Sequence, residues 1–142
     1  MAINETSEWS GRLPPTLDEF EIMARAALES LPEPFRELAS DVTCIVADFP
    51  DEDVLEEMGL ESPFELMGLF VGIGMAHDGA APQTGQMPNR VYLYRRPILD
   101  YWAESEDTLG GIVTHVLVHE IGHHFGFSDD DMEAIEAAGE DE

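Results

Sequence analysis

The sequence predicts an α+β domain in which a small mixed sheet packs against an N-terminal helix and a long helix near the C-terminus. Apolar residues recur at helical spacing after Thr16 and again before Gly126. Three short segments between them are rich in β-branched or aromatic residues, which is typical of strands. With 142 residues and 44% apolar content, the chain is long enough to bury one core, so we expect a single domain over 1–142.

The N-terminal segment predicts a loose leader followed by a capped helix. Residues 1–15 are largely polar and end in two prolines, and an acidic tail is expected at the other end of the chain, over 137–142. Thr16 and Glu19 have the spacing of a capping box, in which each side chain accepts a hydrogen bond from the other residue's backbone N–H. The apolar positions of the following helix are Phe20, Met23, Ala24, Ala27, Leu28 and Leu31.

Three strands are predicted in the middle of the chain, over 42–48, 66–74 and 89–99. The acidic run 48–57 lies after the first strand, and we expect it to be a solvated loop that leads into a short helix. The segment 77–89 is rich in glycine and proline, which favours a loop.

A long helix is predicted from about Thr108 to Phe125, with a short helix before it and another after it. Ser105 or Asp107 could cap the N-terminus of the long helix, because short polar side chains satisfy its free N–H groups. Gly126 suits the position just beyond the helix end, where the backbone φ is often positive.

The charge of the chain is extreme, with 31 acidic residues against six basic ones and a formal net charge of −25. Such a surface repels DNA, RNA and anionic membranes, so we expect none of these as partners. No apolar run reaches the roughly 18 residues of a membrane helix and no secretory signal is visible, which favours a cytoplasmic protein. Cys44 is the only cysteine, so no intrachain disulfide can form, and it is expected to be a core residue.

The densest cluster of reactive side chains is the stretch HEIGHHFGFSDDD at the end of the long helix. His119 and His123 are four residues apart, so their imidazoles share one helix face about 5–6 Å apart and can reach one metal ion. Glu120 is offset by one position, where it can flank the ion and take a proton from metal-bound water. If Gly126 turns the chain back, Asp129 can be a third ligand, and a fourth position stays open as in catalytic zinc sites.

The spacing HExxHxxGxxD resembles the extended zinc-binding consensus of the metzincin-type zincins, in the variant with aspartate as third ligand, as in snapalysin-like peptidases. The small size, the position of the motif and its wording resemble more closely the minimal zincin-like metallopeptidases, a family of short bacterial proteins. The specific part of the resemblance covers 115–131. It implies a minimal zincin-like fold, a Zn²⁺ cofactor held by His119, His123 and Asp129, and Glu120 as the general base.

Two functions are consistent with these features. The leading prediction is a zinc-dependent peptidase that hydrolyses peptide bonds through metal-activated water. The alternative is a metal-binding or protein-interaction module with a zincin fold and no turnover. Metzincins carry a methionine turn downstream of the third ligand, whereas the only methionine after Asp129 is Met132, in a predicted helix, where we expect a core contact. That departure favours the alternative.

Other polar residues near the motif have two interpretations each. His115 lies one turn before His119 and could contact a substrate, or be a hydrogen-bonded histidine at a helix–sheet boundary. His124 is expected to face solvent or the surroundings of the metal rather than to ligate it. Asp130 and Asp131 are alternative ligands, or favourable charges at a helix N-terminus.

The strand at 89–99 is predicted to lie at a sheet edge, because it ends in proline and carries charge. An edge strand beside a metal can pair with an extended peptide through main-chain hydrogen bonds. We therefore expect a peptide or protein substrate along this strand, with the 77–89 loop as a flap and Arg90 or Arg95 meeting acidic groups of the substrate. The alternative is an ordinary edge strand. Tyrosines could supply an oxyanion donor or act in packing; they are Tyr92, Tyr94 and Tyr101.

Overall fold

A computed structural model of the chain describes residues 9–72 and 89–140, with side chains up to residue 137. Its strands are β1 (Thr43–Ala47), β2 (Gly68–Val71) and β3 (Arg90–Tyr94). They form one mixed sheet in the order β1-β3-β2, with β3 parallel to β1 and antiparallel to β2. The predicted α+β class with a small mixed sheet is confirmed.

Helices pack against this sheet. The helix Leu17–Glu29 (α1) packs against β1 and against the long helix Leu109–His124 (α5), and α5 also packs against β2 and β3. The capping box predicted for α1 is present, with Glu19 N 3.1 Å from Thr16 Oγ1 and Thr16 N 2.8 Å from Glu19 Oε1. The helices are α1 (Leu17–Glu29), α2 (Phe35–Leu38), α3 (Glu52–Met58), α4 (Arg95–Glu104), α5 (Leu109–His124) and α6 (Asp129–Glu140), with 3-10 turns at Ala39–Asp41 and Pro63–Glu65.

The predicted cap of α5 is wrong, because Thr108 holds that position. Its hydroxyl accepts a hydrogen bond from Gly111 N at 3.0 Å. Ser105 Oγ instead accepts from the backbone of Asp107 at 3.3 Å, which fixes the loop before the helix. Both residues are therefore used in the turn that leads to α5.

The prediction that segment 89–99 is an edge strand is also wrong. β3 is the central strand, since Tyr92 has Ile45 of β1 on one side and Leu69 of β2 on the other. The strand stops at Tyr94 and α4 follows directly, so Pro97 lies in the first turn of a helix. Proline is tolerated there because that turn needs no N–H for an intrahelical hydrogen bond.

The core lies between the sheet and the helices α1 and α5. Val91 and Leu93 of β3 are fully buried, and α5 buries most of its length from Ile112 to Gly122. Met132 of α6 is fully buried, which confirms the predicted core contact. No helix in the described ranges is long and apolar enough to span a membrane.

Candidate metal centre

The last two turns of α5 carry three of the four predicted site residues. His119 and His123 lie on one face, with ring centroids 5.4 Å apart. His119 is half-buried and His123 is exposed, so the pair lies at the boundary between core and solvent. Glu120 is also half-buried and lies on the neighbouring side of the helix, towards β2.

A tight turn after α5 brings the fourth residue back to this face. Gly126 has a φ of 91°, which favours glycine because side chains are strained there. Its N–H donates to the carbonyl of His123 at 3.1 Å, and Phe127 N donates to the carbonyl of Gly122 at 2.8 Å. These two bonds make a Schellman motif, which ends the helix and reverses the chain. Asp129 follows as the first residue of α6.

The turn places the carboxylate of Asp129 beside both imidazoles. Its Oδ1 atom lies 2.8 Å from His123 Nε2 and 4.0 Å from His119 Nδ1. One potential ligand atom from each of the three side chains lies within 4.8 Å of the others. Two imidazoles and one carboxylate are a donor set that suits Zn²⁺ and leaves one tetrahedral position open. The three predicted ligands are therefore together in space.

The two alternative acidic ligands are not part of this cluster. The carboxylate of Asp131 lies 3.3 Å from the backbone N of Ser128, and Asp131 N donates to Ser128 Oγ at 3.1 Å. This reciprocal pair caps α6, so Asp131 stabilises the helix start. Asp130 is exposed in the same turn, where its charge complements the helix dipole.

The electrostatics of the cluster favour the protonation states that a metal requires. The hydrogen bond from His123 holds the pKa of Asp129 below its ordinary value. Burial lowers the pKa of His119, and the neighbouring imidazoles of His115 and His123 lower it further. An ionised carboxylate and a neutral imidazole are the forms that ligate metal ions.

The side chain of Glu120 extends from α5 towards the outer edge of β2. Tyr94 N donates to the carbonyl of Met67 at 2.9 Å, and such bonds alternate along an antiparallel pair. The main-chain groups of Gly68 and Phe70 are therefore directed away from β3. The N–H of Phe70 donates to the Glu120 carboxylate. Burial raises the pKa of Glu120 despite this bond, and a carboxylate with a raised pKa is a stronger base.

Two further contacts around the cluster were not predicted from the sequence. His115 Nδ1 lies 3.2 Å from an oxygen of Glu136 on α6, and its ring centroid is 4.3 Å from that of His119. His124 stacks on Phe70 of β2, with centroids 3.9 Å apart. Each contact joins elements that are distant in sequence, so no local pattern indicates it.

The arginines proposed to meet substrate are engaged inside the chain. Arg95 Nη1 pairs with Asp48 at 2.9 Å, and its Nε donates to the carbonyl of Pro15 at 2.6 Å. Arg90 Nη1 donates to the hydroxyl of Tyr92 at 3.0 Å. Arg95 therefore ties the N-terminal segment to the loop after β1. That Arg90 or Arg95 meets acidic groups of a substrate stays a prediction.

The tyrosines considered as oxyanion donors lie in different surroundings. Tyr94 is buried, and burial raises its pKa to about 12. Tyr101 is 48% exposed on α4 and lines a cavity beside α5. All but the last residue of the predicted 77–89 flap lie outside the described residues.

A known protein family matches this chain over most of its length. The sequence model of the zincin-like metallopeptidases matches residues 39–139. The chain belongs to this family. The zincin-like match begins after α1 and α2 and includes the whole sheet, α5 and all but the last residue of α6. No curated protein matches the chain.

Proposed function

We propose that this zincin-like chain is a zinc-dependent peptidase in which His119, His123 and Asp129 hold the metal and Glu120 is the general base. The observation that carries the proposal is the 4.8 Å cluster of three ligand atoms at the end of α5. Glu120 follows His119 in the chain, and its side chain lies on the side of α5 towards β2. Membership of a metallopeptidase family supports the same reaction.

The three ligand candidates suit zinc in number and in kind. Zinc, when bound, polarises the substrate carbonyl and makes a water molecule more acidic. The lowered pKa of Asp129 keeps its carboxylate ionised, and the lowered pKa of His119 keeps its imidazole neutral. The chain therefore needs little proton loss from these two groups to bind the ion at neutral pH.

Glu120 would move the proton during hydrolysis. Its carboxylate accepts a proton from the attacking water as the new C–O bond forms. It then donates that proton to the amine nitrogen as the C–N bond breaks, so the base is regenerated. The hydrogen bond from Phe70 fixes the carboxylate in place, and its partial burial strengthens it as a base.

The strand that could align a peptide is β2 rather than β3. The outer edge of β2 is free of strand partners among the described residues, and it faces α5 beside Glu120. The main-chain groups of Gly68 and the carbonyl of Phe70 point towards this edge, while the N–H of Phe70 donates to Glu120. An extended peptide can add to such an edge through main-chain hydrogen bonds, which do not depend on its side chains.

The direct test compares wild type with Glu120→Gln after both have been loaded with zinc. The substitution keeps the shape and the acceptor oxygen, so zinc content is expected to stay unchanged. Peptide hydrolysis is expected to fall by roughly 10²–10⁴-fold, as for loss of a general base. Glu52→Gln, on the exposed start of α3, is the matched control and should hydrolyse peptides at the wild-type rate.

Two results would contradict the proposal. Glu120→Gln could hydrolyse peptides as fast as wild type, which would remove the base from the reaction. Alternatively, zinc-loaded wild type could cleave nothing in a broad peptide library, and the chain would then be a metal-binding module without turnover.

A further inference from the structure

A cavity of about 640 Å³ lies beside α5, on the N-terminal side of the candidate metal centre. Its walls come from the residue before β2, from α4 and the loop after it, from α5 and from α6. The volume falls within the roughly 300–1,000 Å³ range of ligand pockets. None of His119, Glu120, His123 and Asp129 is among the described residues that line this cavity.

The cavity continues the face of α5 that carries the metal-binding candidates. Gly111 and His115 line it, and both lie at intervals of four residues from His119 and His123. The ring of His115 is 4.3 Å from that of His119, so one imidazole separates the cavity from the candidate centre. A peptide held at the centre would therefore place a neighbouring side chain in the cavity.

The floor of the cavity is apolar. Ile112 and Val116 of α5 are 4% and 5% exposed, and Met67 closes the side nearest β2. These side chains match the aliphatic stem of a long residue rather than a short polar one.

The rim of the cavity is acidic on two sides. Glu106 and Asp107 lie in the loop before α5, and Glu136 approaches from α6, where it also contacts His115. No arginine is among the described lining residues, and the chain contains no lysine. Carboxylates around an apolar floor match a side chain with a cationic head, and the exposed ring of Tyr101 offers a further surface for that cation.

We infer that this cavity is a specificity pocket for a basic side chain, arginine or lysine, close to the scissile bond. The inference rests on the proposed peptidase function, since it names the class of peptide that the site would select. The acidic surface of the whole chain favours the same peptides at longer range, because it attracts cations before they bind.

The test uses zinc-loaded protein and peptides that differ at one position, which holds arginine, uncharged norleucine or glutamate. Wild type should cleave the arginine peptide best and the glutamate peptide worst. In the double variant Glu106→Gln/Asp107→Asn, kcat/KM for the arginine peptide should fall on the order of tenfold, as for loss of two rim charges. Cleavage of the norleucine peptide should not change.

The control removes the same charge elsewhere. Glu56→Gln/Glu57→Gln lies on exposed positions of α3, outside the described cavity lining. It should leave the arginine preference at its wild-type value. An equal loss of preference in both double variants would mean that the overall charge, and not the cavity, selects the peptide, and would overturn the inference.

A binding measurement separates this inference from the proposed function. N-acetyl-arginine amide and N-acetyl-norleucine amide are titrated into wild type and into both double variants, with binding followed by calorimetry. Stronger binding of the arginine compound that is lost only in Glu106→Gln/Asp107→Asn supports the pocket, even if no peptide is hydrolysed. Hydrolysis without arginine preference, or equal binding of both compounds, would overturn the pocket and leave the peptidase proposal standing.

Discussion

Nε2 of His123 and Oδ1 of Asp129 lie 2.8 Å apart, although one residue ends α5 and the other begins α6. The contact depends on the short turn between the two helices. Because Gly126 has a positive φ in that turn, the position of the third candidate ligand is determined by the backbone of one glycine.

Gly126→Ala is expected to lower both stability and zinc affinity. A Cβ at this position meets nothing within 4 Å, so the cost comes from the backbone alone and should be about 1–2 kcal/mol. Gly110→Ala is the matched control, since its Cβ also meets nothing but its backbone is helical. That variant should gain up to about 1 kcal/mol in the free energy of unfolding. Equal stability changes in the two variants would contradict this account of the turn.

Gly122→Ala should destabilise the chain by a different cause, which is overpacking. The added Cβ would clash with Met132 Sδ and lie 3.4 Å from Phe35 Cε1, both in the buried core. We expect a loss of about 1–3 kcal/mol in denaturant unfolding. Combining it with Met132→Ala should cost less than the sum of the two single changes, because the smaller side chain leaves room for the methyl group. Strict additivity would contradict the contact.

The pH dependence of stability should report the environment of Glu120. Burial raises its pKa in the folded chain, so the folded state binds the proton more tightly than the unfolded state does. This contribution to stability is present below the ordinary value of 4.5 and is lost as the pH rises through the folded value. In chelator-treated protein, Glu120→Gln should therefore be more stable than wild type at neutral pH, and the difference should shrink in acid. A difference that is constant from pH 4 to 8, or of opposite sign, would contradict the shift.

Cys44 should react slowly in the folded chain. Burial raises the pKa of its thiol from 9.0 to about 11, which lowers the thiolate fraction at pH 8 by about 100-fold. A thiolate of higher pKa is the stronger nucleophile, which offsets part of this loss, so alkylation by iodoacetamide should be about tenfold slower than in the urea-unfolded chain. Equal alkylation rates in the folded and unfolded chains would show that the thiol is not buried and that its pKa is not raised.

Much of the candidate site could be predicted because its geometry is local. The spacing of His119 and His123 fixes their common helix face, and a glycine after the helix predicts the turn that returns Asp129. The core contact of Met132 was also expected, because this residue lies in a predicted helix. Each of these inferences spans less than fifteen residues and needs no knowledge of the sheet.

The contacts that the sequence did not predict are between distant elements. The proline and the charges of segment 89–99 predicted an edge strand, but β3 is central. Strand order depends on which distant segments pair, and no local feature determines that. The donation from Phe70 to Glu120 follows from that order, because it brings the edge of β2 to α5. The contact of His115 with Glu136 joins residues 21 positions apart on two helices, whose crossing no local pattern determines.

Zinc affinity is the most direct measure of the central claim. Wild-type protein stripped of metal is titrated with zinc in competition with a chromophoric chelator, alongside Asp129→Ala and its neighbour Asp130→Ala. We expect one zinc ion per chain in wild type and in Asp130→Ala. In Asp129→Ala the affinity should fall by more than the roughly 10–100-fold that loss of an outer partner causes. The metal centre is contradicted if wild type binds no zinc. It is also contradicted if a variant in which His119, His123 and Asp129 are all replaced binds zinc as tightly as wild type.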